Sequence, residues 1–222
     1  MSFWTQFPKL TFDTSKHEYQ WMGKKVPSVT RIFDCLGYRK DDTSPWVPFG
    51  CPDFAKREHD STFGGAFHKM ANAIVAGKTL SIPDEMVPWR DKVQRFLDKW
   101  RIEPIFDKNN NIISEYPMYS PFYGFAGTPD FCGHDCNDFS LFIIDWKSSG
   151  IYHKSYSWQT AGYSILLRDV LGGKIFDKRE KITRITVLVS AEKNDAEAVF
   201  RMNNPEDFVA FQSILNTYKV AA

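Results

Sequence analysis

Between Gly127 and Lys147 the chain reads GTPDFCGHDCNDFSLFIIDWK. Turn formers at 135–138 separate two segments, and this pattern predicts a β-hairpin with strands at residues 125–134 and 140–149. The second strand is apolar on both faces, as strands in the interior of a sheet are. We therefore expect the hairpin to be buried within a sheet.

The hairpin brings two acidic residues together. With the turn centred on Asn137-Asp138, Asp130 lies opposite Asp145. Lys147 shares that face because side chains alternate along a strand, and Trp146 points to the other face. Opposed like charges destabilise a sheet, here by about 3 kcal/mol at ~5 Å and an effective dielectric near ~20. A divalent cation would remove this repulsion, and oxygen ligands suit Mg²⁺ or Mn²⁺.

Lys147 indicates which chemistry the acidic pair serves. A metal ion can lower the pKa of an attacking water and stabilise charge on phosphoryl oxygens. Lys147 could position that water or neutralise the developing charge. The alternative is a structural ion pair between Asp145 and Lys147, which would leave Asp130 without a partner. The arrangement favours metal-dependent cleavage of phosphodiester bonds.

Five motifs follow one another along the chain: Gly64-x-x-x-His68, Glu115, Gly127-x-x-Asp130, Asp145-x-Lys147 and Gln159-x-x-x-Tyr163. The series resembles the PD-(D/E)xK nuclease superfamily, and its upstream histidine and Gln-x-x-x-Tyr motif resemble the RecB-type exonuclease branch. The segment Val26-Pro27-Ser28-Val29-Thr30 is similar to the start of many phage-encoded members. The resemblance extends from about Val26 to the C-terminus.

This resemblance implies a metal site. Asp130 and Asp145 would be its carboxylate ligands, with His68 and the backbone carbonyl of Trp146 as further ligands and Mg²⁺ or Mn²⁺ as the cofactor. Outside this family pattern, a lone histidine on a helix of small and apolar residues is more often a core residue.

The same resemblance implies catalytic and DNA-binding roles. Lys147 would be the catalytic lysine. Glu115 would bind a second metal or position water, although a glutamate at the start of a strand is commonly solvated. Gln159 and Tyr163 share a helix face because they lie four residues apart. They would hold the DNA strand or brace the strand that carries the lysine.

The fold implied is α/β, with a restriction-endonuclease-like core in which helices flank a central mixed β-sheet. We expect one domain over residues 1–222. A mainly helical part at about 1–105 would carry His68, and about 110–222 would form the catalytic sheet and C-terminal helix. The patterns predict helices at 29–36, 55–76 and 85–100, and two further helices from 156 and from Pro205. They also predict an N-terminal hairpin near 18–24 and strands from Ile112 and at 182–190 and 198–202.

Composition limits the function further. The 222 residues are 43% hydrophobic and include seven Trp, which is typical of a folded domain rather than a disordered chain. The net charge of +1 produces no overall attraction to nucleic acid, so DNA contacts need local basic residues. Candidates for those contacts are Lys24, Lys25, Arg31, Arg39 and Lys40, and candidates for base stacking are Trp46, Trp89, Trp158, Phe122 and Tyr123.

The cysteines at positions 35, 51, 132 and 136 all precede Asp145. No iron–sulfur cluster is expected, because the members of this branch that hold one have three cysteines near the C-terminus. Zinc binding by residues 132–136 is one alternative. The other is that Cys132 faces Ile143 as a small buried side chain.

These expectations describe a metal-dependent DNA exonuclease that works from DNA ends in phage or recombination-related processing. Its substrate would be single-stranded DNA or an end-containing duplex, with a recombination or replication protein as a candidate partner. Two alternatives remain: a non-catalytic module that binds DNA ends or another protein, and a structure-specific endonuclease. No apolar run reaches the roughly 20 residues of a membrane span, and no signal-peptide pattern is present, so a cytoplasmic location is expected.

Overall fold

The computed structural model of the protein describes residues 9–14, 16–36, 54–106, 112–137, 140–171 and 182–221. The strands are β1 (Leu10–Asp13), β2 (Glu18–Trp21), β3 (Lys24–Val26), β4 (Ile102–Pro104), β5 (Met118–Ser120), β6 (Phe125–Gly127), β7 (Phe131–Asp135), β8 (Leu141–Lys147), β9 (Ile182–Leu188) and β10 (Glu197–Arg201). The helices are α1 (Val29–Ile32), α2 (Phe54–Val75), α3 (Val87–Trp100), α4 (Lys154–Val170) and α5 (Pro205–Ala221).

A five-stranded sheet forms the centre, with strand order β10-β9-β8-β7-β4. β8 and β9 are parallel, whereas the other neighbouring pairs are antiparallel. Helices cover both faces. On one face Trp146 packs with Phe67 of α2 and Phe96 of α3, and on the other Ile143 packs with Leu166 of α4. Burial of each such side chain contributes about 1.5–3 kcal/mol. The predicted α/β fold with a mixed central sheet flanked by helices is confirmed.

Two smaller sheets lie outside this core. β1, β2 and β3 form one of them in that order, and β5 and β6 form the other. Tyr19 of the first sheet is buried with Tyr119 and Ala126 of the second, and Trp21 stacks on Tyr119 with ring centroids 4.5 Å apart. The hairpin expected near 18–24 is present as β2 and β3, so a sheet precedes α1.

The prediction of one continuous strand at 125–134 is wrong. The segment is divided into β6 and β7, which belong to different sheets. Pro129 lies between them, and a proline interrupts a strand because it has no N–H to donate to the ladder.

The predicted strand from Ile112 is also wrong within the described residues. Ile112 forms an isolated bridge with Phe106, and Ser114 forms another with Phe131. β4, which the sequence patterns did not predict, pairs with β7 as the edge strand. The chain then turns at Glu115, whose φ of 48° lies in the left-handed region.

The predicted helices are present, and local signals explain where they begin and end. Ser28 caps α1 by accepting the N–H of Arg31 at 3.1 Å, α2 is followed by Gly77 with φ of 63°, and Asn204 accepts the N–H of Glu206 at the start of α5. None of the helices in the described part of the chain has the length and hydrophobicity needed to cross a bilayer. Arg39, Lys40, Trp46, Cys51 and the expected helix end at Gly172-Gly173 lie outside the described residues.

Candidate metal centre

The predicted register of the hairpin is confirmed. β7 pairs with β8 so that Phe131 lies opposite Ile144, and one further step along both strands places Asp130 opposite Asp145. The backbone N–H of Trp146 donates a hydrogen bond of 2.7 Å to Oδ2 of Asp130. The side chain of Asp130 is thus held at the point where β8 extends beyond β7.

Three of the predicted residues converge around this point. Ligand atoms of His68, Glu115 and Asp130 all lie within 4.8 Å of one another. His68 comes from α2, and its Nδ1 lies 3.3 Å from Oδ1 of Asp130. The backbone N–H of Glu115 donates to the carbonyl oxygen of Asp130 at 3.2 Å. Among the described residues, this is the group of acidic, histidine or cysteine side chains close enough to hold a metal ion, and Asp145 is not part of it.

Asp145 is paired with Lys147 instead. The side chain of Asp145 is fully buried, and Nζ of Lys147 lies 2.8 Å from each of its oxygens. The hydrogen-bond geometry is satisfactory only at Oδ1, so Oδ2 has no hydrogen bond. A buried carboxylate oxygen without a donor is costly. Oδ2 is therefore stabilised by the charge of Lys147 and not by a hydrogen bond.

The charges in this group shift the pKa values in opposite directions. Burial raises the pKa of Asp145 to about 6. The charge of Lys147 opposes this shift, and the charge of Asp130 adds to it. Burial also acts to raise the pKa of Asp130, but His68, Lys147 and the backbone N–H of Trp146 together outweigh it, and the pKa is lowered. Burial acts to lower the pKa of His68, and Asp130 reverses this shift. Burial and the charge of Asp130 raise the pKa of Glu115. The carboxylates of the site, on Glu115, Asp130 and Asp145, thus face two basic groups, His68 and Lys147.

Gln159 and Tyr163 lie on α4, which covers the Asp145 face of the sheet. The Nε2 group of Gln159 donates to the hydroxyl of Tyr163 at 3.0 Å. Tyr163 is buried, and a Cβ placed on Gly127 would lie 3.1 Å from its Cε1. Tyr163 therefore packs against the strand that leads into Asp130.

Two neighbours of the site were not identified from the sequence. The ring centroid of Tyr156 lies 5.0 Å from Nζ of Lys147. Tyr156 precedes Gln159 by three residues, and this spacing on one helix face is a signal that could have found it. The hydroxyl of Tyr19 is hydrogen-bonded to Oγ1 of Thr128 at 2.6 Å. No local pattern in the sequence connects Tyr19 with Thr128.

The candidate DNA-binding residues in the described part of the chain do not all share one surface. Lys24 and Lys25 are neighbours on β3 and so point to opposite faces of their sheet. Lys24 is exposed on the face that also carries Tyr19, given the register of β2 and β3. Lys25 forms an ion pair with Glu18. This pairing lowers the pKa of Glu18, and the charge of the exposed Arg31 makes a smaller contribution in the same direction.

The candidate stacking residues differ in exposure. Trp89 and Trp158 are only partly buried, but they pack against the two core clusters. Tyr123 is also partly buried, and its hydroxyl accepts a hydrogen bond from Gln212. Phe122 is 83% exposed, and its ring makes an edge contact with Tyr123 at a centroid distance of 4.8 Å.

The cysteine positions agree with one of the two alternatives. Cys132 lies opposite Ile143, as expected, and is fully buried. The Sγ of Cys136 donates to the carbonyl oxygen of Arg101. Both are free thiols, and the metal-ligand group found among the described residues contains neither.

No protein-family model matches the chain, and no curated protein matches it. Among solved structures, it is similar to an alkaline exonuclease from Laribacter hongkongensis, with 8% identity over 88% of this chain and 87% of that chain and a TM-score of 0.41. A structure of the same enzyme in complex with dAMP gives 9% identity over 88% and 87% of the chains and a TM-score of 0.37. Similarity this remote assigns no activity, so we infer the function from the residues of the site.

Proposed function

We propose that the protein is a metal-dependent nuclease of the PD-(D/E)xK type, in its RecB-like branch, and that it degrades DNA from the ends. One observation carries the proposal. His68, Glu115 and Asp130 converge beside the buried pair of Asp145 and Lys147. Acidic metal ligands next to a positioned amine suit the attack of water on a phosphodiester bond.

The donor atoms fit a hard divalent cation. Carboxylate oxygens of Glu115, Asp130 and Asp145 would be ligands, and Oδ2 of Asp145 makes no hydrogen bond, although Nζ of Lys147 lies 2.8 Å from it. The N–H of Trp146 points to Asp130, and its carbonyl points the same way because both groups of one strand residue lie on the same side. Oxygen ligands suit Mg²⁺ and Mn²⁺, and the imidazole of His68 favours Mn²⁺ of the two.

The substrate also requires such an ion. Three carboxylates against Lys147 and His68 leave the site with excess negative charge, which would repel a phosphodiester. A bound divalent ion would cancel the excess negative charge of the site, lower the pKa of the attacking water and stabilise negative charge on the phosphoryl oxygens.

Lys147 acts in this proposal as a cation. Burial acts to lower its pKa, but Asp145 and Asp130 outweigh burial and the pKa is raised. The protonated amine would therefore donate a hydrogen bond to a phosphoryl oxygen or to the attacking water. Because Tyr163 is buried, we assign Gln159 and Tyr163 to bracing the segment that carries Asp130.

The DNA would be bound through exposed cations of the N-terminal part. Lys24 and Arg31 are candidates for contacts with the phosphate backbone, with Lys25 as a weaker one because Glu18 already pairs with it. We place the activity in phage or recombination-related processing because of the resemblance of Val26–Thr30 to phage-encoded members, which leaves a recombination or replication protein as the candidate partner.

The first test compares linear and circular single-stranded DNA and end-labelled linear duplex, each with Mn²⁺, Mg²⁺ or EDTA. We expect metal-dependent loss of linear DNA while circles are spared. Lys147→Ala should lower the rate by about 100-fold or more. Lys193→Ala, at an exposed lysine that pairs with Glu197, should leave the rate unchanged.

Other outcomes would change the assignment. Cleavage that resists EDTA, or full activity of Lys147→Ala, would contradict the proposed chemistry. Cleavage of covalently closed circles would indicate an endonuclease. Tight binding of DNA ends without turnover would indicate a non-catalytic module.

A further inference from the structure

Tyr156 lies outside all five motifs, yet it makes the aromatic contact to Lys147. Its ring centroid is 5.0 Å from Nζ, within the ~6 Å at which an aromatic face attracts an ammonium group. We infer that Tyr156 is a positioning residue that holds the amine of Lys147 for the reaction. The inference rests on the proposed function, because it takes Lys147 as the catalytic amine.

Lys147 needs such a contact because its side chain has four rotatable bonds. The ammonium group touches Asp145 at 2.8 Å, and a single ion pair allows it to swing about that carboxylate. The ring of Tyr156 supplies a second contact from another element, and two contacts restrict the direction of the amine. The side chain of Lys147 remains 17% exposed, so the amine can still reach a substrate.

Tyr156 is itself held in place. Its ring makes edge contacts with Tyr152 and His153, at centroid distances of 6.0 and 5.3 Å. Its N–H donates to the carbonyl oxygen of His153 at 3.0 Å. The carbonyl oxygen of the next residue, Ser157, accepts a hydrogen bond of 2.8 Å from the buried Arg184. The first turn of α4 is thus anchored to β9, and the ring rests on a rigid support.

The interaction uses the face of the ring rather than a charged phenolate. Burial raises the pKa of Tyr156, with Lys147 opposing and Asp145 adding to the shift, so the hydroxyl stays neutral. A phenylalanine should therefore replace Tyr156 in this role, whereas an aliphatic residue should not.

Kinetics of two variants test the inference. Tyr156→Leu should lower kcat by about tenfold with KM changed less than about twofold. Tyr156→Phe should stay within about twofold of the wild type in both constants. A loss of kcat in Tyr156→Phe equal to that in Tyr156→Leu would overturn the inference.

A second measurement does not depend on cleavage. The side-chain NMR resonances of Lys147, assigned by comparison with Lys147→Arg, should show a ring-current shift in the wild type and in Tyr156→Phe, and lose it in Tyr156→Leu. Resonances without that shift in the wild type would overturn the inference, even if Tyr156→Leu does not fold. If the wild type cleaves no DNA, the proposed function fails, and these resonances still decide whether Tyr156 holds Lys147.

Discussion

Glu115 combines an unfavourable backbone conformation with a carboxylate that the proposed metal site uses. Its φ of 48° lies in the left-handed region, which costs a residue with a side chain about 1–2 kcal/mol. Strain of this kind persists where function requires it. We interpret the glutamate at this turn as a residue retained for its ligand atoms and not for its conformation.

The variant Glu115→Asn should separate these two properties. Asparagine tolerates the left-handed region better, so the free energy of unfolding without metal should rise by up to about 1 kcal/mol. Affinity for Mn²⁺ should fall by about tenfold or more, as measured by calorimetry. Glu115→Gln is the control, because it loses the charge but keeps the strain. Equal stability of the two variants would contradict this interpretation.

Gly127 allows α1 and α4 to pack on β6 just before the site. A Cβ at this position would lie 2.9 Å from atoms of Val29 and Leu166 and 3.1 Å from Tyr163. Gly127→Ala should therefore lower the free energy of unfolding by about 1–3 kcal/mol, measured by denaturant titration. Gly65→Ala is the control: a Cβ on this helical glycine meets nothing within 4 Å, and alanine should stabilise α2 by up to about 1 kcal/mol. Equal effects at the two positions would refute the packing argument.

Tyr19 joins β2 to the segment that precedes Asp130 through its hydrogen bond to Thr128. Burial raises the pKa of Tyr19 to about 12, above the value of about 10 for an unfolded chain. The neutral phenol is therefore favoured in the fold, and its stabilisation is fully present below about pH 10 and lost as the pH rises through about 12.

The comparison with Tyr19→Phe isolates this effect, because the other tyrosines remain. The excess stability of the wild type over Tyr19→Phe should shrink by roughly 1 kcal/mol between about pH 9 and 11, measured by denaturant unfolding at each pH. A difference that stays constant over this range would show that Tyr19 is not buried against Thr128 as described.

The candidate metal centre connects the two helical layers of the protein. His68 belongs to α2 on one face of the central sheet, whereas Asp145 points to the face that α4 covers. An ion that binds the native state at 100 times its dissociation constant stabilises it by about 2.7 kcal/mol. For a chain of this size the melting temperature should then rise by about 5–10 °C.

Removal of the metal should reverse this gain. Saturating Mn²⁺ should raise the melting temperature of the wild type, and EDTA should return it to the metal-free value. His68→Asn should lose most of the shift, because one ligand and the link to α2 are removed. Glu85→Gln, at an exposed carboxylate outside the site, should keep it. A shift that survives in His68→Asn would place the bound ion elsewhere.

The hairpin register was predictable because it depends on neighbouring residues. A turn at 135–138 and strict alternation were sufficient to place Asp130 opposite Asp145 and Cys132 opposite Ile143. The error at 125–134 has the same local origin. The apolar pattern of residues 125–134 indicates one strand, but Pro129 interrupts that strand. Tertiary packing then determines which sheet each half joins.

The amino-acid sequence was enough to predict the helices and the acidic pair with its lysine, since periodicity and turn formers act over a few residues, whereas the mixed sheet was implied by the family resemblance. Only the tertiary structure decided that Glu115 joins His68 and Asp130 while Asp145 pairs with Lys147. The same holds for the ring of Tyr156 over that lysine. These contacts join segments that are distant along the chain, and their geometry depends on how helical layers pack against the sheet, which no local pattern encodes.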